Sequence, residues 1–294
     1  MNKRKMSTGI DVFLFLLPAL ILFGGILIAP IVMSGYYSLF DWHLVKGNQG
    51  FVGLANYKEL FTSNSIAFTK ALGNSLLLAA VSVFVQLPIS LGLALLLGRG
   101  FKGERIFLSI FFLPVLISTV VIGQLWLKIY NPNYGLLNVA LTSLGFEKFK
   151  DYTWLSSNSA IWACFIPTLW QFVGYHMLLM YAGVKSVPTE YREAAKIDGA
   201  TEAQVDRYIV IPYIKGILKV SVIFAVTGSL KSYDMIKILL GSQKHSPVEV
   251  PTTRLINQII ERNNVGMGSA IAIILIILCF AFALIIGKVF KEDD

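Results

Sequence analysis

The sequence predicts an all-α, polytopic membrane protein with six transmembrane helices and both termini in the cytoplasm. Of its 294 residues, 55% are hydrophobic and only 14% are charged, whereas soluble domains average about 25% charged residues. The mean hydropathy of +0.68 and several long uncharged stretches indicate that lipid is the main solvent of the chain. Polar residues gather in short segments between these stretches, which is typical of one domain with several spans.

Six apolar segments predict spans, because a helix of about 20 apolar residues crosses the bilayer core with its backbone hydrogen-bonded internally. The fifth is the weakest, since Lys215 and Lys219 lie in its early turns. Lysine side chains tolerate such positions by reaching the nearby interface. All six belong to a single predicted transmembrane domain over residues 1–294. The predicted spans are residues 12–40, 71–97, 106–127, 160–184, 209–230 and 265–287.

The net charge of +8 does not indicate nucleic-acid binding, because the basic residues form short clusters between the spans. With the N-terminus inside, the inner segments are shorter than the outer ones and hold slightly more basic residues. Their higher density of positive charge favours cytoplasmic termini and makes residues 185–208 a cytoplasmic loop. The inner clusters are Lys3, Arg4, Lys5, Arg99, Lys102, Arg105, Lys185, Arg192, Lys196, Arg207, Lys288 and Lys291.

The cytoplasmic loop is predicted to contain two short helices with a bend between them. Val187–Pro212 reads VPTEYREAAKIDGATEAQVDRYIVIP. Pro188 suits the first turn of a helix, where its missing N–H is harmless, and Glu190 follows at the positive end of the helix dipole. Gly199 predicts the break, because glycine readily adopts the left-handed conformation that ends helices. A second helix is expected from Thr201 into the fifth span.

Two small side chains in this loop suit a docking surface. Ala194 and Ala195 leave a shallow face that another protein could approach closely. An amphipathic helix at the membrane interface that only joins two spans is the alternative. Physical reasoning alone leaves the two interpretations equally supported.

The loop resembles the EAA loop of binding-protein-dependent ABC importer permeases. In that family the loop forms coupling helices that dock in a groove of an ATPase subunit. One departure is Asp206, where the family usually has an aromatic residue; Tyr208 is the nearest ring. The resemblance implies an ATPase-coupling role for the matching residues Glu193, Ala194, Ala195, Asp198, Gly199, Ala200 and Pro212.

The resemblance extends along nearly the whole chain and points to the carbohydrate, maltose-type branch of the family. A second departure is Gly241–Pro247, GSQKHSP, where the family often has a glycine-rich turn ending in proline. Membership implies a second permease subunit, two ATPase subunits that bind ATP and Mg²⁺, and an extracytoplasmic solute-binding protein. The matching segments include FLLPALILFGGILIAPIVMSGYYSLFDW, FVGLANYKEL, ALGNSL, FFLP, NPNYGLLN, WLSSNSAIW and PTLWQFVGYHMLLMYAGVKSVP.

Five polar side chains in the fourth and fifth spans are candidate substrate contacts. A sugar needs hydrogen-bond partners for its hydroxyls and apolar surfaces for its ring faces. Thr168, Gln171 and Tyr175 share one helix face, and Ser229 and Ser232 are three residues apart. The resemblance aligns these five near positions that contact sugar in maltose-type permeases. The alternative is that they bond packed membrane helices together.

Three further polar residues near these candidates have structural interpretations. His176 is expected to be a packed, hydrogen-bonded histidine rather than a proton relay. Lys231 and Asp234 are expected to pair on one helix face, either lining the outer mouth of the pathway or as an ion pair at the interface.

Several chemistries have no matching sequence pattern. The chain contains no G-x-x-x-x-G-K-[ST] loop, so ATP and Mg²⁺ are expected on partner subunits and no cofactor on this chain. Neither H-E-x-x-H nor G-x-S-x-G occurs, three scattered histidines suggest no metal site, and Cys164 and Cys279 lie in apolar stretches. The chain is therefore expected to be a transport subunit and not an enzyme.

The preferred function is the permease half of an ATP-driven sugar importer, with an oligosaccharide as the first choice of substrate, in the plasma membrane. A same-family importer of another solute, such as glycerol phosphate, stays open because Lys231 and Lys237 could bind an anion. An ion-coupled secondary transporter is the alternative mechanism, although no inverted repeat favours it.

Overall fold

Apolar helices dominate the structure, a computed structural model that describes residues 8–64, 66–100, 102–156, 159–241 and 248–290. By its internal contacts the chain forms two units, Met1–Ala67 with Arg254–Ile276, and Phe68–Thr253 with Ile277–Asp294. The helices are α1 Thr8–Phe23, α2 Ala29–Tyr37, α3 Ala55–Thr62, α4 Phe68–Val81, α5 Leu87–Gly98, α6 Glu104–Leu116, α7 Thr119–Ile129, α8 Leu136–Ser143, α9 Ala160–Ser186, α10 Thr189–Ile197, α11 Glu202–Val205, α12 Ile211–Tyr213, α13 Lys215–Leu230, α14 Asp234–Leu240, α15 Pro251–Ile256 and α16 Val265–Val289.

Four helices are long and apolar enough to cross a membrane unbroken: Val12–Tyr37, Phe68–Gly98, Ala160–Ser186 and Val265–Val289. Two of these contain a π-helical stretch, at Gly24–Ile28 and Ser82–Gln86. Two further helix pairs are apolar enough but sharply bent, so the described residues provide four spans, or six if each pair counts as one. The chain is therefore a polytopic membrane protein.

The third predicted span is wrong as one continuous helix. Instead of residues 106–127, the structure has α6 and α7, which meet at an angle of 96°. Pro114 lacks the N–H of an α-helical hydrogen bond, and Ile117 is extended, with φ −84° and ψ 138°. Ser118 then caps α7, its hydroxyl accepting from the N–H of Val120. A proline followed by a capping serine therefore breaks the span.

The fifth predicted span, residues 209–230, is not one straight helix. Residues 209–213 belong to a helix that comes from Glu202, and α13 begins at Lys215 after a bend of 73°. Pro212 removes one backbone donor here, and Ile214 leaves helical geometry with φ −92° and ψ 13°.

The unit that contains the N-terminal helices also corrects the all-α prediction. The predicted first span to residue 40 ends at Tyr37, and Phe40–His43 (β1) pairs antiparallel with Gly47–Phe51 (β2). Asn56 fixes this ribbon by donating to the carbonyls of Ser38 and Phe40 at 2.8 and 3.0 Å. The side-chain amide thereby satisfies strand-edge carbonyls that have no helical partner.

The unit of Phe68–Thr253 with Ile277–Asp294 is built around α9. One cluster of buried side chains packs α9 against α14, Val248 and Val250. A second cluster packs α9 against α5 and against residues 187–212, which follow α9 and are called the helical loop below. At Gly174, α9 and α6 come into backbone contact, because a Cβ there would overlap the carbonyl oxygen of Phe111. Only glycine permits this crossing.

We expect Gly174→Ala to destabilise the protein, because α6 must move away from α9 and close packing is lost, at about 1–3 kcal/mol. The measurement is the midpoint of thermal unfolding of the detergent-solubilised protein, followed by size-exclusion fluorescence. Gly92→Ala is the matched control, since Gly92 is helical and nothing lies within 4 Å of an added Cβ. Equal midpoints for the two variants would contradict the close crossing.

Candidate functional site

A cavity of about 370 Å³ opens among α9, α13 and the π-helical stretch Ser82–Gln86. This volume lies within the range of about 300–1,000 Å³ for small-molecule sites. The wall is polar on several sides and includes exposed faces of Phe172, Phe224 and Tyr233. All five predicted substrate residues line it: Thr168, Gln171, Tyr175, Ser229 and Ser232.

Three of these residues share the wall because α9 is regular where they occur. Thr168 Oγ1 donates to the carbonyl of Cys164 at 2.9 Å, which leaves its lone pairs free to accept. The ring of Tyr175 is partly exposed and lies 6.3 Å from that of Phe224. Thr168, Gln171 and Tyr175 thus form a polar and aromatic strip along one helix face.

The amide of Gln171 is tied to the break between α6 and α7. Its side chain is only 3% exposed, and its Nε2 donates to Thr119 Oγ1 at 3.2 Å and to the carbonyl of Ile117 at 3.5 Å. Within the described chain its buried Oε1 has no hydrogen-bond partner. The oxygen is buried behind the cavity surface, so a ligand hydroxyl could reach it only if the Gln171 side chain turned into the cavity.

Two residues of the wall were missed by the sequence analysis. Ser82 and Gln86 lie in the π-helical stretch, where Ser82 Oγ is 3.4 Å from Ser229 Oγ and Gln86 Nε2 donates to the carbonyl of Leu169 at 2.9 Å. A signal was present in the sequence, because Ser75, Ser82, Gln86 and Ser90 are polar residues in a mainly apolar span, and the structure buries all four. Their spacing of seven, four and four marks one helix face.

The position of Thr119 in the cavity wall was also not predicted, because residues 106–127 were expected to form one continuous helix. The break turns Thr119 into the cavity wall. The combination of Pro114 with Ser118 in an apolar run was the available signal, since proline interrupts a helix and serine caps the next one.

His176 differs from its predicted hydrogen-bonded state. It is packed as expected, only 4% exposed, but it lines the cavity and its buried Nδ1 has no partner among the described residues. The ring lies edge-on to that of Tyr175 at 5.3 Å. His176 therefore adds a second unsatisfied polar atom to the wall.

Lys231 and Asp234 do not form the predicted ion pair in the part of the chain that the structure describes, although both line the cavity. α13 ends at Leu230, and Tyr233 has φ −149° and ψ −60°, so no helix continues between the two residues. The three-residue spacing then no longer puts them on one face.

The helical loop has the predicted helix, bend and helix. Gly199 adopts φ +85° after α10, which L-residues rarely tolerate. Thr201 starts α11 with a capping box, in which its hydroxyl accepts from the N–H of Gln204 and the Gln204 side chain accepts from the N–H of Thr201. These local interactions fix both sides of the bend.

The residues predicted to couple to an ATPase divide between two faces of the loop. Ala195 and Ala200 are half-buried and pack on the cluster shared by α5 and α9, whereas Ala194 is exposed. Pro212 is the second residue of α12 and is exposed. The remaining members are exposed to approach from outside the chain: Glu193, Ala194, Asp198 and Gly199.

Asp206, the departure in the loop, is a buried residue with an ionic partner. Its Oδ2 accepts from Nη2 of Arg99 at 2.6 Å, and the residue is 6% exposed. Tyr208, which could supply the ring that is missing at position 206, is exposed. Of the second departure, Ser242–Pro247 lies outside the described residues.

The described residues contain no group of three or more His, Cys, Asp or Glu side chains that could hold a metal ion. The polar groups of the cavity are amides, hydroxyls, an imidazole, one lysine and one aspartate. Such a set suits hydrogen bonding to a small polar molecule.

Comparison with known proteins gives a consistent picture. Residues 86–291 match the family model described as binding-protein-dependent transport system inner membrane component. A probable ABC transporter permease protein of Pyrococcus horikoshii is 36% identical over 273 residues, 93% of each chain. The diacetylchitobiose uptake system permease protein NgcF of Streptomyces coelicolor is 29% identical over 97% of this chain and 84% of that protein.

A sugar-transport relative and a solved structure agree with this picture. The trehalose/maltose transport system permease protein MalF of Thermococcus litoralis is 28% identical, covering 96% of this chain and 94% of that one. A crystal structure of a bacterial ABC transporter involved in the import of the acidic polysaccharide alginate contains a chain with a TM-score of 0.82. It is 22% identical and covers 95% of this chain and 94% of its own, so it shows the shared fold.

The alternative role of Gln171, as a bond between packed helices, can be tested through stability. Gln171→Leu removes two long hydrogen bonds together with an unpaired buried oxygen, so we expect the free energy of unfolding to change by less than about 1 kcal/mol. Gln86→Leu is the matched comparison, because it removes a 2.9 Å bond to α9 and should be the more destabilising. Thermal unfolding in detergent measures both. A large loss for Gln171→Leu alone would favour a purely structural role.

Proposed function

Because the chain belongs to the binding-protein-dependent transport system inner membrane component family, we propose that it is the permease subunit of an ATP-driven sugar importer. It is a multi-pass protein of the plasma membrane and forms half of the translocation pathway. The observation that carries the proposal is the cavity, whose wall unites the five predicted residues with unsatisfied buried atoms of Gln171 and His176. Sugar hydroxyls can form hydrogen bonds with the hydroxyls and amides that line this cavity, and its aromatic rings can pack on sugar faces.

The sugar class is supported by the names of relatives that cover nearly the whole chain. Three are named for diacetylchitobiose uptake, trehalose/maltose transport and multiple sugar-binding transport. An oligosaccharide is the substrate we propose. Neither glycerol phosphate import nor ion-coupled secondary transport is favoured by these relatives.

The partners we propose are a second permease subunit, two ATPase subunits and an extracytoplasmic solute-binding protein. ATP and Mg²⁺ bind to the ATPase subunits, and this chain serves transport rather than catalysis. A solved complex of a similar fold, described as an alginate ABC transporter with a pentasaccharide-bound periplasmic protein, supports the binding-protein partner. That chain has a TM-score of 0.81 and 20% identity to this one.

We propose six spans with both termini in the cytoplasm, each bent helix pair counting as one span. The density of basic residues in the inner segments supports this orientation. The helical loop then lies on the cytoplasmic side, with Glu193, Ala194, Asp198 and Gly199 exposed towards an ATPase subunit. Closure of the paired ATPases moves the loop, and the spans alternate between outward and inward access.

We expect deletion of this chain to abolish accumulation of labelled substrate oligosaccharide. When the gene is restored with Gln171→Leu or Thr168→Val, we expect accumulation to be about tenfold lower than with the parental chain, because one or two hydrogen bonds to the substrate are lost. Uptake by intact cells is the measurement. Ser109→Ala is the matched control for Thr168, because its hydroxyl also bonds its own helix, at Arg105, but lies outside the cavity. Unchanged uptake of every sugar that the cell imports would contradict the function.

We expect Gly199→Val to abolish transport while membrane insertion stays intact. Nothing lies within 4 Å of an added Cβ at Gly199, so the effect comes from backbone strain of about 1–2 kcal/mol or more in the left-handed region. Gly199→Asn is the matched variant, since asparagine tolerates this region better, and it should retain more uptake. Full transport by Gly199→Val would show that the loop is only a connector.

A further inference from the structure

The loop is joined to the neighbouring helix by an ion pair between a buried carboxylate and a partly exposed arginine: Asp206 is buried, whereas the side chain of Arg99 is 39% exposed. Asp206 lies in the π-helical stretch Asp206–Val210 that continues α11, and Arg99 directly follows α5. Their 2.6 Å contact is short and charge-assisted. A carboxylate as buried as Asp206 is unfavourable without a cation, so the pair holds the loop to the end of the helix Phe68–Gly98.

Apolar side chains pack beside Asp206, on its side of the ion pair. Val205 and Val210, on either side of Asp206, are buried in one cluster with Leu97 at the end of α5 and Val184 at the end of α9. The ends of α5 and α9 are also in close contact, because a Cβ at Gly98 would overlap the side chain of Val184. Close-packed groups of this kind move together rather than deform gradually.

A second polar contact joins the first helix of the loop to α9. Nη2 of Arg192, on α10, donates to the carbonyl of Val184 at 2.6 Å. This carbonyl lies in the last turn of α9, where no helical N–H is available to it. The loop is therefore bound to the ends of two membrane helices by an arginine in each case.

Both of these helices also contribute residues to the cavity wall, at positions away from the ends that contact the loop. The helix Phe68–Gly98 contributes Ser82 and Gln86 to the wall, and α9 contributes Gln171 and Tyr175. We propose that the Arg99–Asp206 ion pair is the positioning contact that makes the loop and the helix Phe68–Gly98 move as one body. Displacement of the loop by an ATPase then reaches Ser82 and Gln86 directly. This inference rests on the proposed function.

The competing explanation is that Arg99 only compensates a buried charge. The double variant Arg99→Gln/Asp206→Asn separates the two, because removing both charges leaves no unpaired ion while it abolishes the ionic contact. Arg99→Lys/Asp206→Glu is the conservative variant, in which a shorter cation meets a longer carboxylate. Lys196→Gln/Glu202→Gln is the matched control: that ion pair is also 2.6 Å long, but both partners belong to the exposed loop.

The measurements are made on the complete transporter in lipid vesicles. They are subunit content, ATPase activity with and without substrate-loaded binding protein, and uptake of labelled substrate. For Arg99→Gln/Asp206→Asn we expect normal subunit content and ATP hydrolysis but uptake per ATP reduced about tenfold, within the usual range of coupling effects. The conservative and control variants should keep the parental ratio of substrate taken up to ATP hydrolysed. Parental coupling in the doubly neutral variant would overturn the proposal.

A distance measurement keeps the proposal testable if the neutral variant does not assemble. Spin labels at Leu96 and Tyr208, which are 52% and 68% exposed, are introduced into a complex whose other accessible cysteines have been replaced. In the otherwise unaltered transporter, their separation should be the same without nucleotide and with trapped nucleotide. A separation that changes between the two states would overturn the proposal.

The controls also separate this inference from the proposed function. If the chain does not couple to an ATPase, the parental complex itself will show no ATP-dependent uptake. If only the inference is wrong, the parent will be active and the doubly neutral variant will match it.

Discussion

The hydrogen-bonding demand of the backbone in lipid is the constraint on which the rest of the structure depends. A helix that crosses a bilayer must pair its own N–H and carbonyl groups, so irregular backbone survives only where protein or a cavity satisfies the released groups. In this chain a break at Ile117 and a π-helical stretch at Ser82–Gln86 both lie beside the cavity. The carbonyl of Ile117 is satisfied by Gln171. The proposed substrate contacts and the helix interruptions therefore occupy the same places.

The sequence was sufficient where the helix is regular. Thr168, Gln171 and Tyr175 could be put on one face because α9 is unbroken over 27 residues, and a period of 3.6 then determines direction. The sequence was insufficient where the helix is interrupted and the 3.6-residue period no longer holds. Ser82 and Gln86 lie in a widened turn, although their spacing with Ser75 and Ser90 was an available signal. The assumption of a continuous helix hid that Thr119, which follows Pro114, lines the cavity.

The loop shows the same division between local and distant effects. A glycine at the bend and a threonine–glutamine capping box are short-range signals, and they predict helix, bend and helix from the sequence alone. The partner of Asp206 is 107 residues away, and no local pattern joins the two. The β-ribbon after Tyr37 was missed for a similar reason, since Asn56 stabilises it from 16 residues beyond Phe40.

The ionic contact of Asp206 also limits how freely this loop could be exchanged with that of a homologous permease. A grafted segment with the aromatic residue usual in the family would leave the guanidinium of Arg99 without its carboxylate, next to a closely packed glycine and valine. A functional chimera would have to carry both positions together. The two positions thus act as one structural unit, although they belong to different parts of the chain.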